Sequence, residues 1–305
     1  EMTSRDWSSD VCSSDLALHE IGGVLKYGIP EFRLPNAIVD VEIENLQKMG
    51  VKFITDCIVG KTISVKNLEE QGFRGFFIGS GAGLPNFMNI PGENALNIMS
   101  SNEYLTRVNL LDAANPHSDT PINLGKKVVV VGGGNTAMDS CRTAKRLGAE
   151  VTLVYRRSEA EMPARLEEVK HAKEEGINFM TLHNPKEYEA DEKGAVKAVV
   201  LDVMQLGEPD ASGRRRPEAT GETITLECDQ VIVAVGVSPN PLVPQSIEGL
   251  ELGRKNTIAV NDQMQSSIEE IYAGGDIVRG GATVILAMGD GRKAALNMSE
   301  KLLKK

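Results

Sequence analysis

The stretch from Val128 to Arg157, VVVVGGGNTAMDSCRTAKRLGAEVTLVYRR, constrains the fold more than any other part of the chain. A continuous apolar run from Val128 to Val131 enters the turn Gly132-Gly133-Gly134-Asn135-Thr136-Ala137. A helical pattern over 136–147 follows, then a second apolar strand from Val151 to Tyr155. Gly132, Gly134 and Ala137 spell G-x-G-x-x-A between a strand and a helix, the context in which that spacing binds a dinucleotide. The first glycine permits the tight turn, the second lets backbone approach a pyrophosphate, and the small third residue lets helix pack on strand. Free N–H groups at the helix start then face the phosphates.

The end of the second strand bears on which dinucleotide. An acidic residue there would hold a ribose 2′-hydroxyl, whereas arginine accommodates a 2′-phosphate. Here Arg156 and Arg157 stand at that place, and no carboxylate follows until Glu159. Motif, strand–helix–strand context and arginine pair together predict NADP(H). Gly236, which ends a predicted buried strand over 231–235, joins the same set.

Composition narrows the rest. With 305 residues, 41% apolar and 25% charged, the chain suits a globular protein of two domains. A net charge of −10 argues against a nucleic-acid or anionic-membrane surface. No apolar run approaches the roughly 20 residues that span a bilayer. Cys12, Cys57, Cys141 and Cys228 never form C-x-x-C, so neither a zinc site nor a redox dithiol is expected. They read as reduced thiols of a cytoplasmic protein. His19, His117, His171 and His183 are isolated, and no triad, paired-carboxylate or metal pattern is visible; no catalytic side chain is expected.

The first residues look foreign. Residues 5–16, RDWSSDVCSSDL, resemble translated sequencing adaptor, and 1–20 read as a foreign or disordered leader. Beyond it, Ile38, Val41, Leu46 and Met49 predict the apolar face of a helix closed by Gly50, and Val51 to Thr55 a strand. Further strands are expected at 76–78, 258–260 and 271–273, and helices at 100–111, 164–175 and 282–303. Residues 179–235 read as short β runs separated by turns, one of them Asp210-Ala211-Ser212-Gly213. Arg214-Arg215-Arg216 beyond that turn reads as a solvated hairpin tip or, less simply, an anion site.

Several motifs occur in an ordered set: Gly22-Gly23, Tyr27-Gly28-Ile29-Pro30 with Phe32-Arg33-Leu34-Pro35, GAGLPNFMNIPGEN, the glycine fingerprint, YRRSEAEMPA and YAGGDIVRGGATVILAMGDGRKAA. Together they resemble the small subunit of NADPH-dependent glutamate synthase, over everything from Ile21 onward. The flavoprotein subunit of ferredoxin:NADP transhydrogenase and a related sulfide dehydrogenase share the pattern. The resemblance implies an α/β fold of two Rossmann-like dinucleotide-binding domains, of the pyridine nucleotide-disulfide oxidoreductase type. The NADPH domain (116–244) would be inserted in an incomplete FAD domain (21–115 and 245–305).

The family's upstream iron–sulfur cysteines and first FAD glycine turn have no counterpart here, which implies a truncated gene product. The resemblance further implies that Gly275 and Asp276 belong to a second FAD motif, with Gly281, Ala282 and Thr283 at the next helix start. A plain helix cap accounts locally for Asp276. Gly22, Gly23, Tyr27, Gly28 and Arg33 would line the flavin, with Gly81 at a nearby hinge. The implied activity is hydride transfer from NADPH to flavin, with electrons leaving to a large subunit or a ferredoxin-type partner. An NADP-binding module without redox activity is the alternative.

Overall fold

The computed structural model describes residues 13–209 and 213–303. Residues 1–12 of the leader, with Cys12, and Asp210, Ala211 and Ser212 of the expected turn lie outside the described residues. Two compact units divide the chain. The central one comprises Val24–Asn36 and Pro85–Gly236, and the flanking one the residues up to Gly23, Ala37–Leu84 and Val237–Lys305.

The central unit is built on β1 (Ile98–Ser100), α1 (Ser101–Asn109), β2 (Lys127–Val131), α2 (Asn135–Arg146), β3 (Glu150–Tyr155), α3 (Leu166–Glu174) and β4 (Asn178–Thr181). It continues through β5 (His183–Ala190), β6 (Val196–Pro209), β7 (Arg215–Glu227) and β8 (Gln230–Val233). Strands β1-β8-β2-β3-β4 form one sheet, parallel throughout. The apolar runs of β2 and β3 explain why, since a strand covered on both faces needs no polar alternation.

Val128 and Val130 of β2 pack with Met138, Cys141 and Ala144 of α2, while Val129 and Val131 pack with Tyr188, Val199 and Leu201. The second layer is therefore the antiparallel sheet β7-β6-β5. From β2 the chain moves to β3 on one side, and β8 lies on the other. The carboxyl end of β2 is thus a topological switch point, where doubly wound sheets leave a crevice.

Four expectations differ from the structure. Within the leader expected to be foreign or disordered, Ser13–Asp15 form a strand that pairs in parallel with Lys52–Ile54. Residues 85–115 and 24–36 fall in the central unit, because β1 pairs with β8 at the sheet edge, register Val231↔Ile98, and α1 packs its Tyr104 and Leu105 into the same core. Residues 179–235 hold two long strands of 14 and 13 residues, not only short runs. Residues 258–260 form no strand: Ile258 makes one isolated bridge to Leu252, and its N–H donates to the carbonyl of Ile277. Ile258 is fully buried, so its apolar signal was that of core without a ladder.

In the flanking unit, Phe76–Ile78 pairs in parallel with β9 (Ile271–Ala273). A short helix α4 (Asp276–Arg279) and the long α5 (Val284–Leu303) follow. Its core gathers Ile78, Ile258, Ile271, Ala273 and Ile277. The helix Asn36–Lys48 buries Val39, while Ile38, Val41, Leu46 and Met49 of its expected apolar face are exposed. Among the described residues no helix is long and apolar enough to cross a membrane.

Candidate functional site

At the end of β2 the chain turns through Gly132 with φ of 142°, a conformation open to glycine but strained for other residues. A Cβ there would stand 2.3 Å from the carbonyl oxygen of Ala234, just beyond β8. A Cβ on Gly133 would stand 2.6 Å from the Tyr155 ring. Gly134 differs: it is the N-cap of α2, with φ of −91° and ψ of 176°, and a Cβ would meet nothing within 4 Å. It offers no capping side chain, so the first N–H groups of α2 open toward that space. The helix start also carries the positive end of the macrodipole. Ala137 is fully buried in the core between α2 and the sheet, where added volume is costly.

The turn is tied to the loop after β3. The N–H of Ala164 donates to the carbonyl of Gly133 at 3.1 Å, and that of Arg165 to Asn135 Oδ1 at 3.0 Å. Asn135 thus braces the loop, and residues 161–165 return to the glycine turn. The Tyr155 hydroxyl donates to the Glu161 carbonyl at 2.9 Å. Ser158 and Glu161 form a capping box: Glu161 Oε2 accepts from the Ser158 N–H at 3.2 Å and hydroxyl at 2.8 Å.

Arg156 is exposed and has no side-chain partner among the described residues. Arg157 Nε donates to the carbonyl of Arg215 at 2.9 Å. The sequence reading did not place Arg215 in this set, yet the β6–β7 hairpin brings it here. Its Nε pairs with Glu161 Oε1 at 2.8 Å. Burial alone would raise the Glu161 carboxyl, but hydrogen bonds from Ser158 and Arg215 outweigh it and hold the group below its ordinary value. Gly236, with φ of 106°, joins back through its carbonyl, which accepts from the Asn86 N–H at 3.0 Å.

The other face of α2 carries a network of charges. Arg33 Nη1 donates to both oxygens of Asp139 at 2.7 Å, and its Nε lies 3.2 Å from Glu168. Arg142 bridges Glu168 and Glu175, and Phe32 lies against the guanidinium groups of Arg142 and Arg146 at 4.7 and 4.1 Å. Burial pushes the Asp139 carboxyl up to about 6, against the pull of Arg33. Arg33 and Phe32 are thereby committed to α2 and α3. Tyr27 accepts a hydrogen bond at its carbonyl from Asn109 at 3.2 Å, and Gly28 packs tightly over Val24.

In the flanking unit, Gly275 (φ 75°) follows β9 and is the N-cap of α4. Asp276 is not the cap; its Oδ1 accepts from the Ala282 N–H at 3.0 Å and closes the loop over Gly281. Burial raises the Asp276 carboxyl, partly offset by that bond. Gly281, Ala282 and Thr283 are exposed at the start of α5, where the Thr283 hydroxyl accepts from the Leu286 N–H at 3.4 Å. Asp290, which lies within the same motif but has no role assigned from the sequence, is buried behind this loop. It takes two bonds of 2.6 Å from Arg279 and one of 3.0 Å from the Gly275 N–H. Gly22 and Gly23 have positive φ, as does Gly81, and a Cβ on Gly23 or Gly81 would meet nothing within 4 Å.

A sequence-family profile, pyridine nucleotide-disulphide oxidoreductase, matches residues 19–291. The chain belongs to this family. It is 37% identical over 286 residues to the putative glutamate synthase NADPH small chain of Cereibacter sphaeroides, covering 92% of this chain and 68% of that one. It is 38% identical to the NADP(+)-dependent formate dehydrogenase subunit beta of Moorella thermoacetica, covering 94% of this chain and 40% of that one. Among solved structures, FprA of Mycobacterium tuberculosis in complex with NADPH superposes with a TM-score of 0.80 at 18% identity, over 96% of this chain and 78% of that one. At that identity the likeness establishes the shared α/β fold. The resemblance to the glutamate synthase small chain read from the motifs therefore stands, alongside related oxidoreductase subunits.

Proposed function

We propose that the central unit binds NADP(H) on the Gly132–Ala137 turn, with Arg156, Arg157 and Gly236 at its ends. The observation that carries this is Gly134: an uncapped helix start at a switch point, with open space where a Cβ would be, in a unit whose next strand ends in two arginines with no carboxylate before Glu159. Free N–H groups of α2 would hold the pyrophosphate, and the arginines would hold the 2′-phosphate.

The flanking unit is the proposed FAD side, through Gly22, Gly23, Gly81, Gly275, Asp276, Gly281, Ala282 and Thr283. Asp276 would accept a hydrogen bond there, and the start of α5 would favour negative charge on the flavin. Tyr27, Gly28 and Arg33 remain proposed lining of the flavin; as observed, the Tyr27 carbonyl holds α1, Arg33 holds α2 and α3, and Gly28 packs over Val24. When bound, the two cofactors supply the hydride chemistry, and the chain supplies placement and field. That agrees with a site built from glycines, arginines and backbone groups.

On this reading the chain is the NADPH-oxidising, flavin-dependent part of a multi-subunit oxidoreductase, most simply a glutamate synthase small subunit. The near-equal identity to a formate dehydrogenase beta subunit favours a second reading, in which the same unit serves another electron-accepting partner. Calorimetric titration with NADPH and NADH tests the first step. NADPH should bind more tightly, and changing Arg156 and Arg157 together to alanine should erase that preference. An unchanged ratio of affinities rejects the assignment. The partner is identified by what co-purifies with the tagged chain from its host: a glutamate synthase large subunit supports the first reading, a dehydrogenase catalytic subunit the second.

A further inference from the structure

Arg215 opens β7, far in sequence from the glycine turn, yet its groups join the loop after β3 into one cluster. Its carbonyl accepts from Arg157 Nε at 2.9 Å, its Nε pairs with Glu161 at 2.8 Å, and its Nη2 lies 3.5 Å from the Ser158 hydroxyl. Glu161 in turn binds the Ser158 N–H and hydroxyl. The loop therefore carries an ionised carboxylate four residues beyond Arg157. A 2′-phosphate brings a further charge of about −1.5 to −2 to this place. An uncompensated carboxylate would oppose it by like-charge repulsion.

We propose that Arg215 is a positioning residue for NADP(H) selection: it cancels the Glu161 charge and pins the Ser158–Glu161 loop, so that the arginine pair presents a net positive field to the 2′-phosphate. This rests on the reading of Arg156 and Arg157 as the 2′-phosphate site. The sequence pattern of three consecutive arginines beyond a turn described a solvated tip. The hairpin register, Pro209↔Arg215 at its turn end, instead delivers the middle arginine to the loop. Arg215 stays half exposed, with 47% of its side chain accessible, so the effect is screened by salt.

The test uses 2′,5′-ADP and 5′-AMP, which differ only in the 2′-phosphate, titrated calorimetrically into the full chain. The expectation for Arg215→Ala is an about tenfold loss of preference for 2′,5′-ADP, with 5′-AMP affinity unchanged. Arg215→Lys should keep most of the preference. Glu161→Gln added to Arg215→Ala should recover most of it, because the repelling charge is gone; a purely structural role of Arg215 would give no such recovery. Unchanged preference in Arg215→Ala, or no recovery in the double variant, overturns the inference. The underlying reading fails separately: wild-type protein without preference for 2′,5′-ADP removes it. Loss of preference in the Arg156, Arg157 double variant but not in Arg215→Ala leaves the reading standing and removes only the role of Arg215.

Discussion

Gly134→Ala separates binding from folding. Gly134 has φ of −91° and ψ of 176°, which an alanine adopts without strain, and its Cβ would meet nothing within 4 Å. Two small terms then act on stability. Alanine is a poorer N-cap than glycine by some tenths of a kcal/mol, and it removes about 0.4–1 kcal/mol of unfolded-chain entropy in the opposite sense. The net is within about 1 kcal/mol, or roughly 2–4 °C in Tm for a chain of this size. Binding responds differently, because the methyl group occupies the space over the free N–H groups of α2. Displacing a phosphate from one or two charge-assisted hydrogen bonds costs about 1.5–3 kcal/mol each, an about 10- to 150-fold weaker Kd for the first alone.

Gly132→Ala supplies the contrast. At φ of 142°, with a backbone oxygen 2.3 Å from the new Cβ, neither partner can yield cheaply. Backbone strain of about 1–3 kcal/mol adds to overpacking of about 1–3 kcal/mol, so the loss falls on stability itself. Differential scanning calorimetry with NADPH titration distinguishes the two. If Gly134→Ala melts with wild type and binds NADPH as tightly as wild type, the space over Gly134 is not where the pyrophosphate sits.

Two further predictions concern buried carboxylates. Asp139 holds its proton up to about 6 when folded, against 3.8 ordinarily, so the folded state binds more protons between those values. Its contribution is full below pH 3.8 and is lost as pH rises through 6, by roughly 2–3 kcal/mol. Asp139→Asn should flatten that slope, and urea melts from pH 4 to 7.5 that show the same slope in both proteins would refute the shift. Asp290 has the opposite sign: the Arg279 hydrogen bonds hold its carboxyl below the ordinary value. Asp290→Asn should cost about 1–2 kcal/mol at pH 7, given that Arg279 is partly exposed, and progressively less as acid protonates the wild-type group. A difference in Tm that is constant down to acid pH would count against it.

The parts of the molecule that were legible in sequence are those encoded by neighbours along the chain. The run KVVVV announces a strand buried on both faces, Gly132 a turn that needs positive φ, and the stretch after it a helix with Ala137, Cys141 and Ala144 on one face. Long-range pairing was not legible. Nothing local in residues 196–227 states that Arg215 will meet Glu161; that follows from hairpin length and bulges, such as the register shift between Asp202 and Met204. Arg33 is expected from its motif to line the flavin, and nothing local states that its guanidinium holds Asp139, or that Asp290 inside α5 is buried against Arg279. The exposed Ile38, Val41, Leu46 and Met49 show the reverse failure, because periodicity reports which face is apolar and not whether another element covers it.

The two arginines at the end of β3 are not equivalent, and the difference predicts which one matters more. Arg157 spends Nε on the Arg215 carbonyl, which fixes its guanidinium plane while leaving both Nη groups outside that bond. Arg156 has no side-chain partner among the described residues and must be ordered when a ligand arrives. Immobilising such a side chain costs about 1–2 kcal/mol, which the anchored arginine has already lost in the folded state. Equal bonds to a 2′-phosphate should therefore contribute more through Arg157, by up to about tenfold in affinity. Arg157→Ala should weaken 2′,5′-ADP binding more than Arg156→Ala. The anchor is a backbone carbonyl, so Arg215→Ala leaves that hydrogen bond in place and the ranking of the two arginines unchanged. A larger loss from Arg156→Ala would show that the bond from Arg157 to the hairpin withdraws it from the ligand and leaves Arg156 as the phosphate-binding group.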